Sequence, residues 1–166
     1  ENRDERLLAT VLMNGVLFKG KRIATYPGGA DAMPNPNATK TGYYLRKFLN
    51  ENVNIQTGGG SDGHVVPLFR LAEIYLNYAE ALNEYDPTNP DIAVYLNKIR
   101  ERVSLPDVPS GLTQEQMRTL IHHERRVELA FEEHRFWDVR RWKVASSTLG
   151  APVKGVKITQ DDAGNF

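Results

Sequence analysis

The apolar positions divide the chain into stretches of different period. Residues 1–64 are loop-rich, residues 65–145 read as helix, and residues 146–166 form an irregular tail. Near the start, Leu7-Leu8-Ala9-Thr10-Val11-Leu12 and Val16-Leu17-Phe18 flank Asn14-Gly15. Asn-Gly between two apolar runs predicts a hairpin, because both residues tolerate the positive φ of a two-residue turn. A short helix over residues 6–13, stopped by Gly15, is the rival reading. Pro27-Gly28-Gly29 and Pro34-Asn35-Pro36-Asn37 then punctuate residues 19–42 and predict a long loop, since closely spaced prolines block helix and ladder alike. Tyr43-Tyr44-Leu45-Arg46-Lys47-Phe48 alternates like a strand.

Beyond residue 64 the period lengthens. Leu68, Leu71, Ala72, Tyr75, Tyr78, Ala79 and Leu82 recur at three-to-four spacing and predict a helix from Pro67, in its first turn, to about Glu84. Asp86-Pro87 ends it. Asn89 is placed to cap a second helix with Pro90 at its first position, carrying Ile92, Ala93, Leu96, Ile99 and Val103 as far as Pro106. The short connection predicts antiparallel packing of the two. Thr113 followed by Gln116 forms a capping box for a third helix, through Met117, Leu120, Ile121, Val127, Leu129, Ala130 and Phe131. A further turn or two over residues 135–143 follows a kink near Glu133-His134. The fold class is mainly α: a helical hairpin plus a third long helix, with one or two short strands in the loop-rich N-terminal part.

Composition narrows the function. The 166 residues carry 21 Lys+Arg and 21 Asp+Glu, for a formal charge of zero, so no basic excess supports phosphate-driven nucleic-acid binding or a polybasic membrane surface. With no cysteine there is no disulfide, thiolate metal site, iron–sulfur cluster or Cys nucleophile. No run of 18 apolar residues marks a transmembrane helix. The opening Glu1-Asn2-Arg3-Asp4 lacks Met and an apolar leader, and leads to the expectation of a piece excised from a longer chain.

The densest chemistry lies in residues 124–142, where charges interleave with aromatics. Glu124, Glu128, Phe131, Arg135, Asp138 and Trp142 fall on the stripe that Met117 and Ile121 begin. Arg125 with Glu128, Glu132 with Arg135, Arg135 with Asp138, and Asp138 with Arg141 are three apart and therefore neighbours on a helix. The favoured reading is a partly buried structural network, completed by Glu73, Glu80, Arg100 and Arg102 from the first two helices. Simple surface pairing, each pair contributing roughly 0.3–0.5 kcal/mol, and a ligand site are the alternatives.

Other motifs are weaker. Gly58-Gly59-Gly60-Ser61-Asp62-Gly63 matches G-x-G-x-x-G by letter, but Asn52-Val53-Asn54-Ile55-Gln56 is a poor strand to precede a dinucleotide site. His123-Glu124 begins H-E-x-x-H, yet Val127 stands where the second His belongs, so no zinc site is expected from His122, His123 and His134. Glu132-Glu133, as adjacent helical positions, cannot flank one glycosidic bond. Asp161-Asp162-Ala163-Gly164-Asn165 lacks the length of a calcium loop. Trp137 and Trp142 lie on different helical faces, and core packing is expected of at least one.

Taken in order, several blocks resemble the SusD/RagB family, glycan-binding surface lipoproteins of Bacteroidota outer membranes. Arg3-Asp4-Glu5-Arg6 with Asn14-Gly15 resembles the family's Arg-Asp-Pro-Arg stretch and following Asn-Gly, with Glu5 in place of the usual Pro. Thr41-Gly42-Tyr43-Tyr44-Leu45-Arg46-Lys47-Phe48 resembles the segment before the helices. Arg70-Leu71-Ala72-Glu73-Ile74-Tyr75-Leu76-Asn77-Tyr78-Ala79-Glu80-Ala81-Leu82-Asn83-Glu84 resembles the most recognisable helix, and Leu96-Asn97-Lys98-Ile99-Arg100-Glu101-Arg102 its partner. Glu124-Arg125-Arg126-Val127-Glu128-Leu129-Ala130-Phe131-Glu132 with His134-Arg135-Phe136-Trp137-Asp138-Val139-Arg140-Arg141-Trp142 resembles the third element.

The resemblance implies tetratricopeptide-like hairpins and a C-terminal portion of a longer protein, its lipid-anchoring N-terminal part lying outside this chain. It implies a non-catalytic, cofactor-free role: holding oligosaccharide for a TonB-dependent transporter of the SusC type at the cell-surface face of the outer membrane. The matched blocks are scaffold and carry over no sugar-binding residue. That leaves the loop at residues 19–42, where Tyr26 offers a flat apolar ring and Asp31, Asn35 and Asn37 offer polar groups for hydroxyls. The alternative function is a helical protein–protein scaffold that contacts the transporter without touching glycan.

Overall fold

A computed structural model describes residues 3–53, 67–159 and 161. The glycine-rich run at 58–63 and the tail residues after Asp161 lie outside the described residues. The elements are α1 (Arg6–Thr10), β1 (Val11–Leu12), β2 (Leu17–Phe18), β3 (Lys21–Arg22), β4 (Tyr44–Leu45), α2 (Leu71–Tyr85), α3 (Asp91–Glu101), α4 (Gln114–Glu128), α5 (His134–Arg141) and α6 (Ala145–Leu149). They form two compact units. One comprises Glu1–Arg6 with Pro67–Leu149, the other Leu7–Val66 with Gly150–Phe166.

In the helical unit, α2 and α3 fold back on one another. Tyr78 meets Asp91 and Tyr95, while Tyr75 meets Tyr95, with Lys98 over both its ring and that of Tyr95. Moving down α2 therefore means moving up α3, which is the antiparallel hairpin expected. The core joins Leu76 and Ala79 of α2, Ile92, Leu96 and Ile99 of α3, Ile121 of α4, and Leu129. The apolar stripe expected on α2 is displaced. Leu76 is fully buried, whereas Leu68, Leu71 and Tyr78 are exposed. The reason is that α2 packs against α3 and α4 together, so its buried face is set by two neighbours and not by one seam.

The helix ends follow local chemistry. Pro67 lies before α2, not in its first turn, and Arg70 stands at the N-cap without a side-chain cap bond. Asn89 Oδ1 accepts from the Asp91 backbone N–H at 3.1 Å, and Pro90 adopts φ −64°, so the expected cap residue acts as one. The capping box is complete: Thr113 Oγ1 accepts from Gln116 N at 3.2 Å, and Gln116 Oε1 accepts from Thr113 N at 2.9 Å.

The third helix is shorter than its pattern predicts. It ends at Glu128, and a turn intervenes before α5 begins at His134. Phe131 (φ 63°) and Glu133 (φ 68°) are left-handed and cannot propagate a right-handed helix. Glu132-Glu133 therefore lies in a turn, not on adjacent helical positions. Phe131, expected on the buried stripe, is exposed.

In the second unit the expected hairpin around Asn14-Gly15 is replaced by two separate pairings. The turn itself forms, with Val16 N donating to Met13 O at 3.1 Å. However, β1 pairs antiparallel with β4 (Val11 opposite Leu45), and β2 pairs with β3 (Leu17 opposite Arg22). The tight hairpin turn is Lys19-Gly20, with φ 49° and 76°, the two positive values that match strand twist. Residues 6–10 are helical, as the rival reading had it. The strand expected over residues 43–48 is reduced to β4. The tail joins this unit: Val156 N donates to Thr41 O at 2.8 Å.

Candidate functional site

Two arrangements carry polar chemistry, one in each unit. The first is an ionic cluster built on α4. Glu124 and Glu128, one turn apart, are both almost wholly buried. Arg6 Nη1 donates to Glu124 Oε1 at 2.6 Å and to Glu128 Oε2 at 2.9 Å. The rest of its guanidinium grips Asp4, with Nη2 to Oδ2 at 2.6 Å. Arg100 Nη1 donates to Glu124 Oε2 at 2.9 Å. Arg102 Nη2 donates to both oxygens of Glu128 at 2.7 Å, and Arg70 Nη1 adds a bond to Oε1 at 2.6 Å.

Arg70 also organises the break after α4. Its Nη2 donates to the Glu128 carbonyl at 2.7 Å, satisfying a helix-end acceptor, and it forks to the Glu132 carboxylate with both bonds at 2.7 Å.

A second group of ions joins α2, α4 and α5. Arg125 Nε donates to Asp138 Oδ1 and Oδ2 at 2.9 and 2.8 Å, and its Nη1 donates to Asn77 Oδ1 at 2.6 Å. Arg141 reaches Asp138 at 3.0 Å and pairs with Glu80. Trp142 Nε1 donates to Glu80 Oε1 at 2.8 Å, while its ring stacks on His122 at 3.6 Å. Glu73 faces His134 Nε2 at 3.6 Å.

Burial alone would raise the pKa of Glu80 and Glu128. For Glu80, the His122 ring 3.7 Å away and hydrogen bonds from Arg141 and Trp142 outweigh that and hold the carboxyl far below its ordinary value. For Glu128, bonds from Arg70 and Arg6 and the charges of Arg70 and Arg102 lower the pKa below its ordinary value. Carboxylates held this way have no proton to donate at neutral pH, and their lone pairs are already committed to guanidinium groups.

Most of the residues expected in a network are thus brought together: Glu73, Glu80, Arg100, Arg102, Glu124, Arg125, Glu128, Asp138 and Trp142. Arg135 is not. It makes no hydrogen bond or ion pair among the described residues, and burial and Arg126 together disfavour its charge. With the helix broken, its expected neighbours are elsewhere: Glu132 goes to Arg70 and Asp138 to Arg125. Sequence reasoning missed Arg6 and Arg70, which lie 122 and 58 residues from Glu128. Periodicity gives no signal for such pairs. Of the two tryptophans, Trp137 is exposed beside Phe136 and Trp142 is half-buried.

The second arrangement is an open groove of about 240 Å³ in the loop-rich unit. Thr25, Asp31, Thr39, Lys40 and Lys157 line it with apolar Ala32, Met33, Val156 and Ile158. Of the four expected sugar contacts only Asp31 reaches it. Its Oδ2 also accepts from Ala24 N at 2.8 Å, and its carbonyl accepts from Tyr44 Oη at 2.8 Å. Asn35 donates to the Gly29 and Ala30 carbonyls at 3.0 Å and holds the loop. Tyr26 is half-buried, its carbonyl closing a turn with Gly29, and Asn37 is an exposed left-handed turn residue. Tyr26, Asn35 and Asn37 do not line the groove. Among the described residues, no group of three or more His, Asp or Glu is placed to hold a metal, and no helix is long and apolar enough to cross a membrane.

A helical hairpin locked to a third helix by guanidinium–carboxylate pairs defines the fold class, mainly α, of the helical unit. The chain belongs to the SusD family, whose model matches residues 1–166. It is 36% identical over 126 residues to SusD-like protein P2 of Formosa agariphila, covering 72% of this chain and 24% of that protein. With SusD-like protein P25 of the same organism it shares 40% identity over 106 residues, covering 61% of this chain and 19% of the relative. The chain thus spans about a quarter or less of the curated relatives' length. Its fold superposes on the crystal structure of a SusD-like protein from Bacteroides fragilis with TM-score 0.77 at 35% identity, covering 89% of this chain and 29% of that one.

Proposed function

We propose that the chain serves in glycan capture at the cell-surface face of a bacterial outer membrane, as part of a non-catalytic protein that passes oligosaccharide to a SusC-type TonB-dependent transporter. The observation that carries this reading is the match of the SusD family model along the whole chain. The ionic chemistry supports it. The buried acids of α2 and α4 are saturated by arginines and serve as fasteners, which suits a scaffold that must hold its shape while a flexible ligand comes and goes. The loop-rich unit offers the open polar groove. Titration calorimetry of this chain with a panel of neutral and acidic oligosaccharides tests the reading. Saturable heat with at least one glycan class supports it; no binding across the panel removes glycan contact from this chain.

The second reading is a helical scaffold that contacts the transporter and leaves glycan to other parts of the protein. The exposed apolar row of Phe69, Leu71, Ile74 and Tyr78 favours it, as do Phe136 and Trp137 of α5. Thermal unfolding separates the two readings, because a ligand that binds the folded state raises the midpoint. A midpoint unmoved by every glycan, together with co-purification with the transporter, favours the scaffold.

A further inference from the structure

The groove of the loop-rich unit has a charge pattern that a neutral sugar does not use. Lys40 and Lys157 both line it, and neither has an ion-pair partner among the described residues. Their proximity is built by backbone. Val156 N donates to Thr41 O at 2.8 Å, so Lys40 and Lys157, each one residue from that bond, fall on one rim. Gly155 permits the approach: a Cβ there would lie 2.7 Å from Thr41 Cα and 2.8 Å from its carbonyl oxygen, closer than real side-chain carbons come. The wall adds hydroxyls. Thr39 Oγ1 lies 2.9 Å from Thr41 Oγ1, while Thr25 Oγ1 is buried out of a ligand's reach. Asp31, the one acid in the lining, has an oxygen already bonded to a backbone N–H. The floor of Ala32, Met33, Val156 and Ile158 is apolar.

We propose that this groove binds an acidic sugar unit, one bearing a carboxylate or a sulfate. Two lysines of the lining would face the anion, the Thr39 hydroxyl would bond a sugar hydroxyl, and the apolar side chains would take the C–H face of the ring. Ammonium groups without an ion-pair partner favour an anionic ligand over its neutral analogue. This assignment rests on the glycan-capture reading and specifies the substrate class of that site.

The probes are tetragalacturonate, its methyl ester, and a sulfated galactan tetrasaccharide, titrated into the wild-type chain and into Lys40→Gln, Lys157→Gln and the double variant. The lysines are exposed, so the folded state is kept, and circular dichroism checks this. Expected is binding of an acidic probe that the methyl ester lacks or shows about tenfold more weakly, the scale of a charge-assisted hydrogen bond. Each single variant should lose about five- to tenfold for the acidic probe by the same measure, and the preference should vanish in the double variant. Whether the carboxylate or the sulfate probe binds identifies the source of the charge. Equal affinity for acid and ester, or unchanged binding in the double variant, overturns the acidic-sugar assignment and leaves glycan capture standing. Absence of binding by all three probes, while a neutral glycan binds, overturns only the assignment. Absence of binding by every glycan overturns both.

Discussion

The Arg6 guanidinium bridges Glu124 and Glu128 at 2.6 and 2.9 Å, across separations of 118 and 122 residues. One side chain thereby ties the start of the chain to the buried face of α4. Arg6 itself is 8% exposed, and both carboxylates are less so.

Arg6→Ala should therefore cost about 1.5–3 kcal/mol, because it takes one charge-assisted partner from each of two buried carboxylates, leaving Glu124 to Arg100 and Glu128 to Arg70 and Arg102. Arg6→Lys should recover only part of this, since one ammonium cannot reproduce a guanidinium fork shared among Asp4, Glu124 and Glu128. Urea denaturation of the three proteins measures it; an Arg6→Ala midpoint equal to wild type contradicts the buried bridge.

Arg125 and Arg135 should behave oppositely although both lie in the charge-dense segment. Arg125→Ala leaves Asp138 with Arg141 alone and should cost about 3 kcal/mol or more, as for other broken buried pairs. Arg135→Ala should fall within about 0.5 kcal/mol of wild type, in the range of surface changes without partners. Equal losses in the two variants would show that the break after α4 does not form.

Acid should destabilise the helical unit through Glu80 and Glu128. Both have folded-state values depressed below the ordinary 4.5 by their cationic partners. A depressed carboxyl contributes stability that is fully present above its unfolded pKa and is lost as pH falls towards the folded value. The contribution of these two groups should thus be constant from neutrality down to about pH 5 and decline below about pH 4.5. Denaturation midpoints across that range test it. In Glu80→Gln the acid slope should be shallower, at the expense of lower stability at neutral pH.

The Thr113 capping box should be separable from the ions. Thr113→Ala removes the acceptor for Gln116 N and should cost about 1 kcal/mol, whereas Thr113→Ser should be close to neutral. Faster amide exchange at Gln116 in the alanine variant, with α3 protection unchanged, would locate the effect at the first turn of α4.

Helices α2, α3 and α4, the Asn89 and Thr113 caps and the Asn14-Gly15 turn were legible because each depends on residues close together in the chain, whereas α6 falls in the stretch read as an irregular tail. The same locality misled at three places. An Asn-Gly turn forms, yet the strands beside it pair with Tyr44–Leu45 and Lys21–Arg22, since a turn motif does not specify which edge a short strand meets. Leu76 was absent from the expected stripe, because helix period alone does not count how many neighbours a helix will have. Three-residue spacing alone puts Arg135 in the network, and the left-handed Phe131 and Glu133 break the helix before it. In the candidate groove only Asp31 was legible. Lys157 joins it through a tail-to-loop hydrogen bond at Thr41, 115 positions apart in the sequence of contacts Val156 and Thr41 make.

By itself the sequence determined a mainly helical body, its caps, and a supply of arginines matched to acids. Period and capping are properties of a few adjacent residues, so they survive without knowledge of the fold. The tertiary structure decided which arginine meets which carboxylate and which lysines share a rim. Those outcomes depend on where the chain returns, and water is excluded only once it has: Glu128 becomes a fastener when Arg6, Arg70 and Arg102 close around it from three separate segments.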